Sequence, residues 1–304
     1  MNFADVFLCA HDAGGAEIIA AWAQARPAHA WHGCAQGPAA PIFARQLNGF
    51  VNVPFAQLEL EWSVRRPHLV LTGTSWASNL EMRVRNLARQ HRIRSASYLE
   101  HWINYRERFG FPAPWIENLP EEVWCPDNES IRLCTALGFP AAALTLAGNP
   151  YLDRLTRELL NADVKEVEGS WLYVCEPIGA HALLTTGNAQ SQGYDEFDAL
   201  RYFLAASQPM RTPETRVVIR PHPSEPENKY NAFAAAHQRD AHIVVSRNSL
   251  LRDDVAHATH VVGCESMAMV VALRAGKSVF TSIPPNAPPC RLPFPGIQRF
   301  ASIS

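Results

Sequence analysis

The sequence predicts an α/β protein with two doubly wound domains that face a cleft. Short β-rich apolar runs alternate with helical patterns along the whole chain, and this alternation implies parallel sheets covered by helices. The chain has 304 residues, too many for one typical core and about right for two. A polar, poorly periodic stretch over residues 161–170 interrupts the alternation. We therefore predict an N-terminal domain over residues 1–160 and a C-terminal domain over residues 170–304.

In the first half, runs of apolar and β-branched residues predict strands, and apolar residues three and four apart predict helices. The predicted strands are Val6–Ala10, Pro67–Thr74, Ser95–Leu99, Glu122–Cys125 and Leu144–Ala147. The predicted helices are Gly14–Ala25, Ala77–His91 and Asn128–Leu137.

The second half restarts the same alternation. The predicted strands are Trp171–Cys175, Arg216–Arg220, His242–Ser246, His260–Gly263 and Ser278–Thr281. The predicted helices are Tyr194–Ala206, Leu250–Ala256 and Ser266–Arg274. The tail, Pro284–Gly296, has six prolines in thirteen residues. It is predicted to be a strap that ends near the cleft and carries no chemistry.

Composition excludes several classes of protein. Lys and Arg number 27 against 29 Asp and Glu, a net charge of −2, so no global field recruits nucleic acid. The seven cysteines form no Cys-x-x-Cys pair, and we expect small buried side chains in a reducing cytoplasm rather than metal or redox sites. The N-terminus lacks a signal-peptide pattern, and no apolar run approaches the roughly 18 residues of a membrane span. We expect a cytoplasmic protein for which a peripheral membrane contact stays open.

The segment Arg220-Pro221-His222-Pro223 ends a predicted strand. Side chains two residues apart in an extended chain point the same way, so Arg220 and His222 can face one ligand. The prolines keep the segment extended. An arginine fork and an imidazole suit a phosphate or pyrophosphate. The alternative is a pair of loop-capping residues with a surface ion pair to Glu225.

A second polar strand end, Gly263-Cys264-Glu265-Ser266, precedes a predicted helix. Ser266 suits the N-cap, and Glu265 complements the helix dipole. The functional interpretation adds that free backbone N–H groups and the Ser266 hydroxyl form an anion site, while Glu265 accepts hydrogen bonds from a ribose. Glu176, at the end of the first strand of this half, is expected to face the cleft floor and contact the nucleotide or the acceptor.

The first strand of the chain runs into His11 and Asp12, followed by Gly14 and Gly15. Paired glycines between a strand and a helix allow close approach to a ligand. Asp12 is our first candidate for a general base that deprotonates an acceptor hydroxyl. The alternative is a tight turn in which Asp12 is the N-cap of the helix.

Residues 98–109 carry aromatic residues interleaved with arginines after a strand that ends in Glu100 and His101. Aromatic faces suit sugar rings, and Arg106 suits a carboxylate or phosphate. Glu100 or His101 is the next choice for the catalytic base. The alternative is a surface loop held by Trp102 and Phe109, with its arginines solvated.

Over about residues 140–285, the sequence resembles the nucleotide-binding domain of GT-B glycosyltransferases. The bacterial sialyltransferase and Kdo-transferase-like group carries a His-Pro motif after a strand and a Ser at a later helix start, which His222-Pro223 and Ser266 match. In that group the His and the Ser hold the phosphate of a CMP-sugar. UDP-GlcNAc 2-epimerases are also similar and close their first domain with a Gly–Asn phrase, as at Gly148-Asn149-Pro150. CDP-glycerol transferases resemble this domain too, so the donor nucleotide stays open.

This resemblance implies two Rossmann-like domains, an acceptor-side N-terminal one and a nucleotide-sugar-binding C-terminal one. It implies an inverting glycosyltransferase that transfers a sugar from a CMP- or UDP-sugar to a glycan or lipid-linked acceptor of the bacterial surface. The donor is a substrate, and no separate cofactor is expected. The sequence has no Asp-x-Asp motif, which predicts catalysis without a metal. The first domain lacks the acidic pair followed by Gly that serves sialyltransferases as a base. A nucleotide-sugar epimerase or hydrolase and a non-catalytic binding protein are the alternatives.

Overall fold

The computed structural model describes residues 5–26, 30–75, 78–164, 167–212, 214–248 and 250–300. The first residue of the predicted helix Ala77–His91, and residues 165 and 166 of the predicted interdomain stretch, lie outside the described residues. The chain divides into two compact units, Met1–Arg154 and Leu155–Ser304. The predicted roles of an acceptor domain and a donor domain stay predictions.

Unit 1 is built on a parallel sheet of seven strands with the order β3-β2-β1-β4-β5-β6-β7. The strands are β1 Val6–Ala10, β2 His32–Ala35, β3 Val51–Asn52, β4 Leu69–Thr72, β5 Arg94–Tyr98, β6 Glu122–Cys125 and β7 Leu144–Leu146. Strand β1 lies in the middle, between β2 and β4. Its end therefore lies where the strand order reverses.

Helices cover both faces of this sheet. They are α1 Ala13–Gln24, α2 Ala39–Gln46, α3 Leu58–Val64, α4 Leu80–Gln90, α5 Asn128–Ala136 and α6 Pro150–Leu160, the last of which spans the division between the units. Alternate residues of β1 face opposite cores, as expected for a strand buried on both sides. Leu8 packs in the core that contains Trp22 of α1, whereas Phe7 packs in the core that contains Val84 of α4.

Unit 2 repeats the plan with six parallel strands in the order β10-β9-β8-β11-β12-β13. The strands are β8 Trp171–Val174, β9 Arg216–Arg220, β10 His242–Val245, β11 His260–Gly263, β12 Ser278–Thr281 and β13 Ile297–Arg299. The helices are α7 Ile178–Thr186, α8 Glu196–Ala206, α9 Asn231–Ala236, α10 Leu251–His257 and α11 Met267–Arg274. None of the described helices of either unit is long and apolar enough to cross a membrane.

An aromatic stack fills one face of the second sheet. The rings of Trp171 and His260 stack at 4.2 Å between centroids and 13° between planes. Phe280 and Phe300 stack at 4.9 Å and 9°. Leu172, the next residue of β8, is also buried, so both faces of this central strand are covered.

The strand predictions hold best where apolar residues run without interruption. Five predicted strands match residue for residue, and the other five differ by one or two residues at one or both ends. Strands β2, β3 and β13 were not predicted, nor were helices α2, α3, α6, α7 and α9. Strand β2 contains Gly33, where a Cβ would lie 2.4 Å from the Leu8 carbonyl oxygen. Close packing therefore requires glycine at this position. The glycine interrupts the apolar pattern from which a strand is predicted, so β2 was missed.

Candidate functional site

Each sheet reverses its strand order once, and several of the candidate site residues follow the strands at these reversals. In unit 1 the reversal lies between β1 and β4, and in unit 2 it lies between β8 and β11. The loops after such neighbouring strands leave toward opposite faces, which opens a crevice at the carboxyl ends of the strands. Asp12 follows β1, Glu176 follows β8, and Glu265 and Ser266 follow β11. These four candidates therefore lie at the edges where ligands of doubly wound sheets bind.

In unit 2, the crevice is bridged by the carboxylate of Glu176. Its Oε1 accepts hydrogen bonds from the backbone N–H of Cys264 at 3.0 Å and of Glu265 at 2.8 Å. Burial raises the pKa of Glu176 to about 7, and the negative charge of Glu265 adds to this effect while the backbone hydrogen bonds oppose it. The prediction that the amides before α11 are free to bind an anion is therefore wrong for these two. A side chain of the same unit already occupies them.

Ser266 and Glu265 both have partners inside the unit. Ser266 Oγ accepts the N–H of Ala268 at 3.2 Å, so it is the N-cap of α11, as the capping interpretation predicted. The Glu265 carboxylate accepts from the guanidinium of Arg291, with Nη2 2.6 Å from Oε2, and from the Arg291 backbone N–H at 2.6 Å. Arg291 belongs to the proline-rich segment, which therefore supplies an ion pair to this strand end; that the segment carries no chemistry stays a prediction. In the sequence, the only signal for the ion pair between Arg291 and Glu265 is a single arginine among prolines.

The imidazole of His222 is oriented by its own loop. Its Nδ1 accepts the backbone N–H of Ser224 at 3.2 Å and lies 2.8 Å from Ser224 Oγ. Because Nδ1 acts as an acceptor, the neutral ring carries its proton on Nε2, a tautomer assigned from this hydrogen-bond network. The ring of His181, on α7, lies 6.3 Å away between centroids. Sequence reasoning missed His181, because a lone histidine in a helix carries no pattern.

Glu225 supports this loop in a way that neither interpretation predicted. Its Oε2 accepts the backbone N–H of His222 at 3.0 Å. Its Oε1 accepts from Lys229 Nζ and from the Tyr230 hydroxyl, both at 2.8 Å. The predicted surface ion pair between Glu225 and the strand-end residues is therefore replaced by a pair with Lys229.

Arg220 forms an ion pair within unit 2. Its Nη1 donates to Asp254 Oδ2 at 2.6 Å and to the Asn248 carbonyl at 3.0 Å. Asp254, on α10, also accepts from Ser246 Oγ and from Asn248 Nδ2, both at 2.7 Å. The predicted arginine fork directed at a phosphate is thus not observed at Nη1, because a buried carboxylate holds that nitrogen. The positive charge of Arg220 is balanced locally.

In unit 1, Asp12 pairs with His11. His11 Nδ1 lies 2.8 Å from Asp12 Oδ1, and the two side chains are 26% and 32% exposed. Asp12 occupies the N-cap position of α1, but its side chain makes no capping hydrogen bond. The capping alternative therefore does not describe this carboxylate. A partly exposed Asp–His pair at a strand end has the composition of a general base and its orienting partner.

Glu81, on α4, bridges the crevice of unit 1. Its Oε1 accepts the backbone N–H of His11 at 2.8 Å. Burial raises the pKa of Glu81 to about 7; the charge of Asp12 raises it further, while backbone hydrogen bonds and Arg85 lower it. Sequence reasoning missed Glu81, since a glutamate in an amphipathic helix normally predicts a solvated position.

The paired glycines allow the loops of unit 1 to pack closely. A Cβ on Gly15 would lie 3.2 Å from Gly73 Cα, a backbone atom of the loop after β4. A Cβ on Gly14 would lie 3.0 Å from Glu100 Cγ. Close packing of these loops therefore explains why both positions are glycine. The predicted contact of the two glycines with a ligand stays a prediction.

Glu100 belongs to a buried ion pair. It bonds to the guanidinium of Arg108, and its Oε2 accepts from Thr74 Oγ1 at 2.6 Å. Arg108 also donates to the Thr74 carbonyl at 2.9 Å. The alternative that Arg108 is solvated is wrong, because its side chain is 5% exposed. Arg108 and Thr74 thus occupy both oxygens of this carboxylate, which weakens Glu100 as the candidate base.

The remaining candidates of this segment also serve the fold. Arg106 Nε donates to the Leu137 carbonyl at 2.8 Å, at the carboxyl end of α5. Trp102 and Phe109 are buried, so the predicted aromatic surface for a sugar ring is wrong at these two positions. His101 Nδ1 accepts the backbone N–H of Trp102 at 3.0 Å. Over the described ranges, no group of three or more His, Cys, Asp and Glu side chains is arranged to hold a metal ion.

Glu81→Gln should flatten the pH dependence of stability. With its pKa raised from 4.5 to about 7, folded Glu81 keeps a proton that the unfolded chain releases between these values. The free energy of unfolding should therefore fall as the pH rises from 4.5 to 7, by about 3 kcal/mol for this group. The variant should lack that part of the slope, measured by urea unfolding at several pH values.

Glu121→Gln is the matched control for this prediction. Although burial acts to raise it, hydrogen bonds from Ser95 hold the pKa of Glu121 below its ordinary value. Replacing Glu121 should therefore have the opposite effect on the pH dependence. It should remove stability that the Glu121 carboxylate contributes above its unfolded pKa. An unchanged slope in Glu81→Gln would contradict the assignment of a raised pKa to Glu81.

Comparison with known proteins identifies the fold. No model of a protein family matches the chain, and no curated protein matches it. Among solved structures, the UDP-GlcNAc 2-epimerase of Methanocaldococcus jannaschii in complex with UDP-GlcNAc and UDP matches with a TM-score of 0.58 at 10% identity, covering 91% of this chain and 83% of that one. Anabaena HepE in complex with UDP-glucose matches with a TM-score of 0.56 at 11% identity, covering 91% and 80%.

The glycotransferase of kitacinnamycin matches with a TM-score of 0.52 at 15% identity, covering 91% of this chain and 79% of that one. At such identities the likeness shows the fold alone. The two doubly wound parallel units and these neighbours together give the conclusion that the chain has the GT-B fold, as the sequence predicts.

Proposed function

We propose that the protein is a cytoplasmic glycosyltransferase that takes a sugar from a nucleotide-activated donor and adds it to a glycan or lipid-linked acceptor of the bacterial surface. The observation that carries this proposal is the placement of two polar residues beside the central strand of unit 2. His222 follows β9 and Ser266 follows β11, the two neighbours of β8. These are the positions that the sequence resemblance assigns to the phosphate of the donor.

The donor is proposed to be a UDP-sugar, with a CMP-sugar as the alternative. Two structural neighbours, the Methanocaldococcus jannaschii epimerase and Anabaena HepE, are complexes with UDP or a UDP-sugar. In this protein, the Nε2–H of His222 is the donor we assign to a phosphate oxygen, with the Ser266 hydroxyl as a second donor. Both groups can stabilise the developing charge of the departing phosphate by directed hydrogen bonds.

Asp12 is proposed as the general base. As the acceptor oxygen attacks the anomeric carbon, its proton passes to the Asp12 carboxylate, and the bond between that carbon and the phosphate oxygen breaks. The nucleotide then leaves with the bonding electron pair, and attack from the opposite face inverts the anomeric centre. The ring of His11, hydrogen-bonded to Asp12 at 2.8 Å, orients the carboxylate. Glu100 ranks behind Asp12 because it is held by Arg108.

An epimerase or hydrolase of nucleotide sugars is the second candidate. The observation that favours it is that the solved structures similar to this chain include UDP-GlcNAc 2-epimerases from two organisms. Such an enzyme consumes the donor without an acceptor, whereas a transferase does so slowly. A protein that binds the nucleotide but never turns over the donor would instead be a binding protein on the same fold.

His222→Ala should weaken nucleotide binding. A hydrogen bond to a charged group contributes about 1.5–3 kcal/mol, so the dissociation constant should rise about 10- to 100-fold. Calorimetric titration with UDP, CMP and CDP measures it. His242→Ala is the matched control, since His242 is an exposed residue that begins β10, at the amino edge of the same sheet. Absence of binding by the wild type, or equal binding by both variants, would contradict the proposal.

Asp12→Asn should slow turnover without changing donor affinity. Loss of a general base reduces the rate by about 10²- to 10⁴-fold, while the nucleotide site of unit 2 is untouched. Nucleotide release with a panel of mono- and disaccharide acceptors measures the rate, and Asp5→Asn, before the amino end of β1, is the control. A rate equal to that of the wild type would remove Asp12 from the mechanism.

Turnover should not require a metal ion. The charge of the leaving phosphate is assigned to His222 and Ser266 rather than to a chelated cation. Treatment with EDTA should therefore leave the rate of donor turnover unchanged. A loss of turnover that Mg²⁺ or Mn²⁺ restores would contradict this part of the proposal.

A further inference from the structure

The start of α11 is the point of unit 2 where an incoming phosphate would ordinarily find backbone donors. The N–H groups that precede a helix bind anions because they point outward and the helix dipole favours negative charge. Here the Glu176 carboxylate accepts the N–H groups of Cys264 and Glu265 through Oε1. A protein side chain therefore stands between these donors and any ligand of the crevice.

Oε2 is the second oxygen of Glu176. Within the part of the chain that the structure describes, no group donates a hydrogen bond to this oxygen. The residue keeps part of its surface exposed, while the surrounding protein desolvates its carboxyl group. An ionised Oε2 would repel a phosphate, whereas a protonated Oε2 would offer it an O–H donor.

The charges around Glu176 do not favour a further anion. Glu265 raises the pKa of Glu176, and Arg291 opposes it. Arg291 in turn pairs with Glu265 at 2.6 Å, so these two charges balance. The other titratable groups coupled to Glu176 are neutral side chains, namely Cys175, Cys264, Cys290, Tyr173 and Tyr194. With Glu176 ionised, Glu176, Glu265 and Arg291 together carry one net negative charge.

We propose that Glu176 selects ligands by charge, so that the phosphate of a nucleotide binds beside α11 only together with one proton. The proton comes from solvent and forms an O–H bond at Oε2, which then donates to a phosphate oxygen while Oε1 keeps accepting from the two amides. No other bond forms or breaks. This inference rests on the proposed function, because it concerns the same nucleotide site.

The sign of the pH dependence follows from the pKa of about 7 for Glu176 in the ligand-free protein. Below this pH the carboxyl is already protonated, and nucleotide binding takes up few protons from solvent. Above it each nucleotide must bring a proton, so affinity should fall about tenfold for each pH unit. Glu176→Gln is neutral at every pH. Its amide oxygen can still accept from the two backbone groups, and its NH₂ can donate to the phosphate.

The experiment is calorimetric titration of UDP into wild type, Glu176→Gln and Glu121→Gln from pH 6.5 to 8.5. Each pH is measured in two buffers of different ionisation enthalpy, which counts the protons taken up. At pH 8.5, about 1.5 units above the pKa of Glu176, Glu176→Gln should bind UDP about 30-fold more tightly than the wild type. The wild type and Glu121→Gln, whose carboxyl accepts from Ser95 in unit 1, should take up more protons than Glu176→Gln.

Equal affinities and equal proton counts in wild type and Glu176→Gln would overturn the inference and leave the proposed function standing. Failure of UDP to bind to either protein would overturn the proposed function, and the inference with it. The proton count of the wild type is a readout that does not depend on the variant. Loss of the melting transition in Glu176→Gln therefore still leaves the wild-type count to decide: an uptake that rises from pH 6.5 toward pH 8.5 supports the inference, and an uptake that does not rise overturns it.

Discussion

One carboxylate bridges each reversal of strand order, and the geometry of both candidate sites depends on it. At each reversal, the loops after two neighbouring parallel strands turn toward opposite faces of the sheet. Backbone N–H groups in these loops then need hydrogen-bond acceptors. In unit 1, Glu81 accepts from the amide of His11, which fixes the turn that carries Asp12. In unit 2, Glu176 accepts from Cys264 and Glu265, which fixes the turn that carries Ser266. Burial raises the pKa of both bridging carboxyls to about 7, so the same contacts that hold the loops respond to pH.

Ion pairs within each unit determine which side chains are suited to bind a ligand. Two charged candidate residues, Arg220 and Glu265, have ionic partners in Asp254 and Arg291. Glu100 is likewise paired with Arg108. Since a paired charge contributes little net charge, we assign the recognition of a phosphate to hydrogen-bond donors such as His222 and Ser266. That division separates the residues that hold the loops from those we assign to the chemistry.

The sequence predicts the strands and the chemical character of their ends better than it predicts the contacts between those ends. Val6–Ala10 and Arg216–Arg220 were predicted to the residue, because an uninterrupted apolar run is a local signal. The contact of Glu176 with Glu265 joins residues 89 positions apart, and no local pattern encodes it. Arg106 and Arg108 show the same limit, because their spacing is compatible with contacts to a ligand, to solvent or to the protein core. Only the fold shows that Arg106 contacts the carboxyl end of α5 and that Arg108 pairs with Glu100.

The central claim is that a nucleotide binds at the carboxyl edge of β8, β9 and β11. A crystal structure of the protein with UDP, grown below pH 7 where Glu176 holds a proton, tests it most directly. We expect the diphosphate within hydrogen-bond distance of His222 Nε2 and the Ser266 hydroxyl, with Glu176 still bonded to the amides of Cys264 and Glu265. A diphosphate bound elsewhere on the chain, or one in contact with neither His222 nor Ser266, would contradict the account.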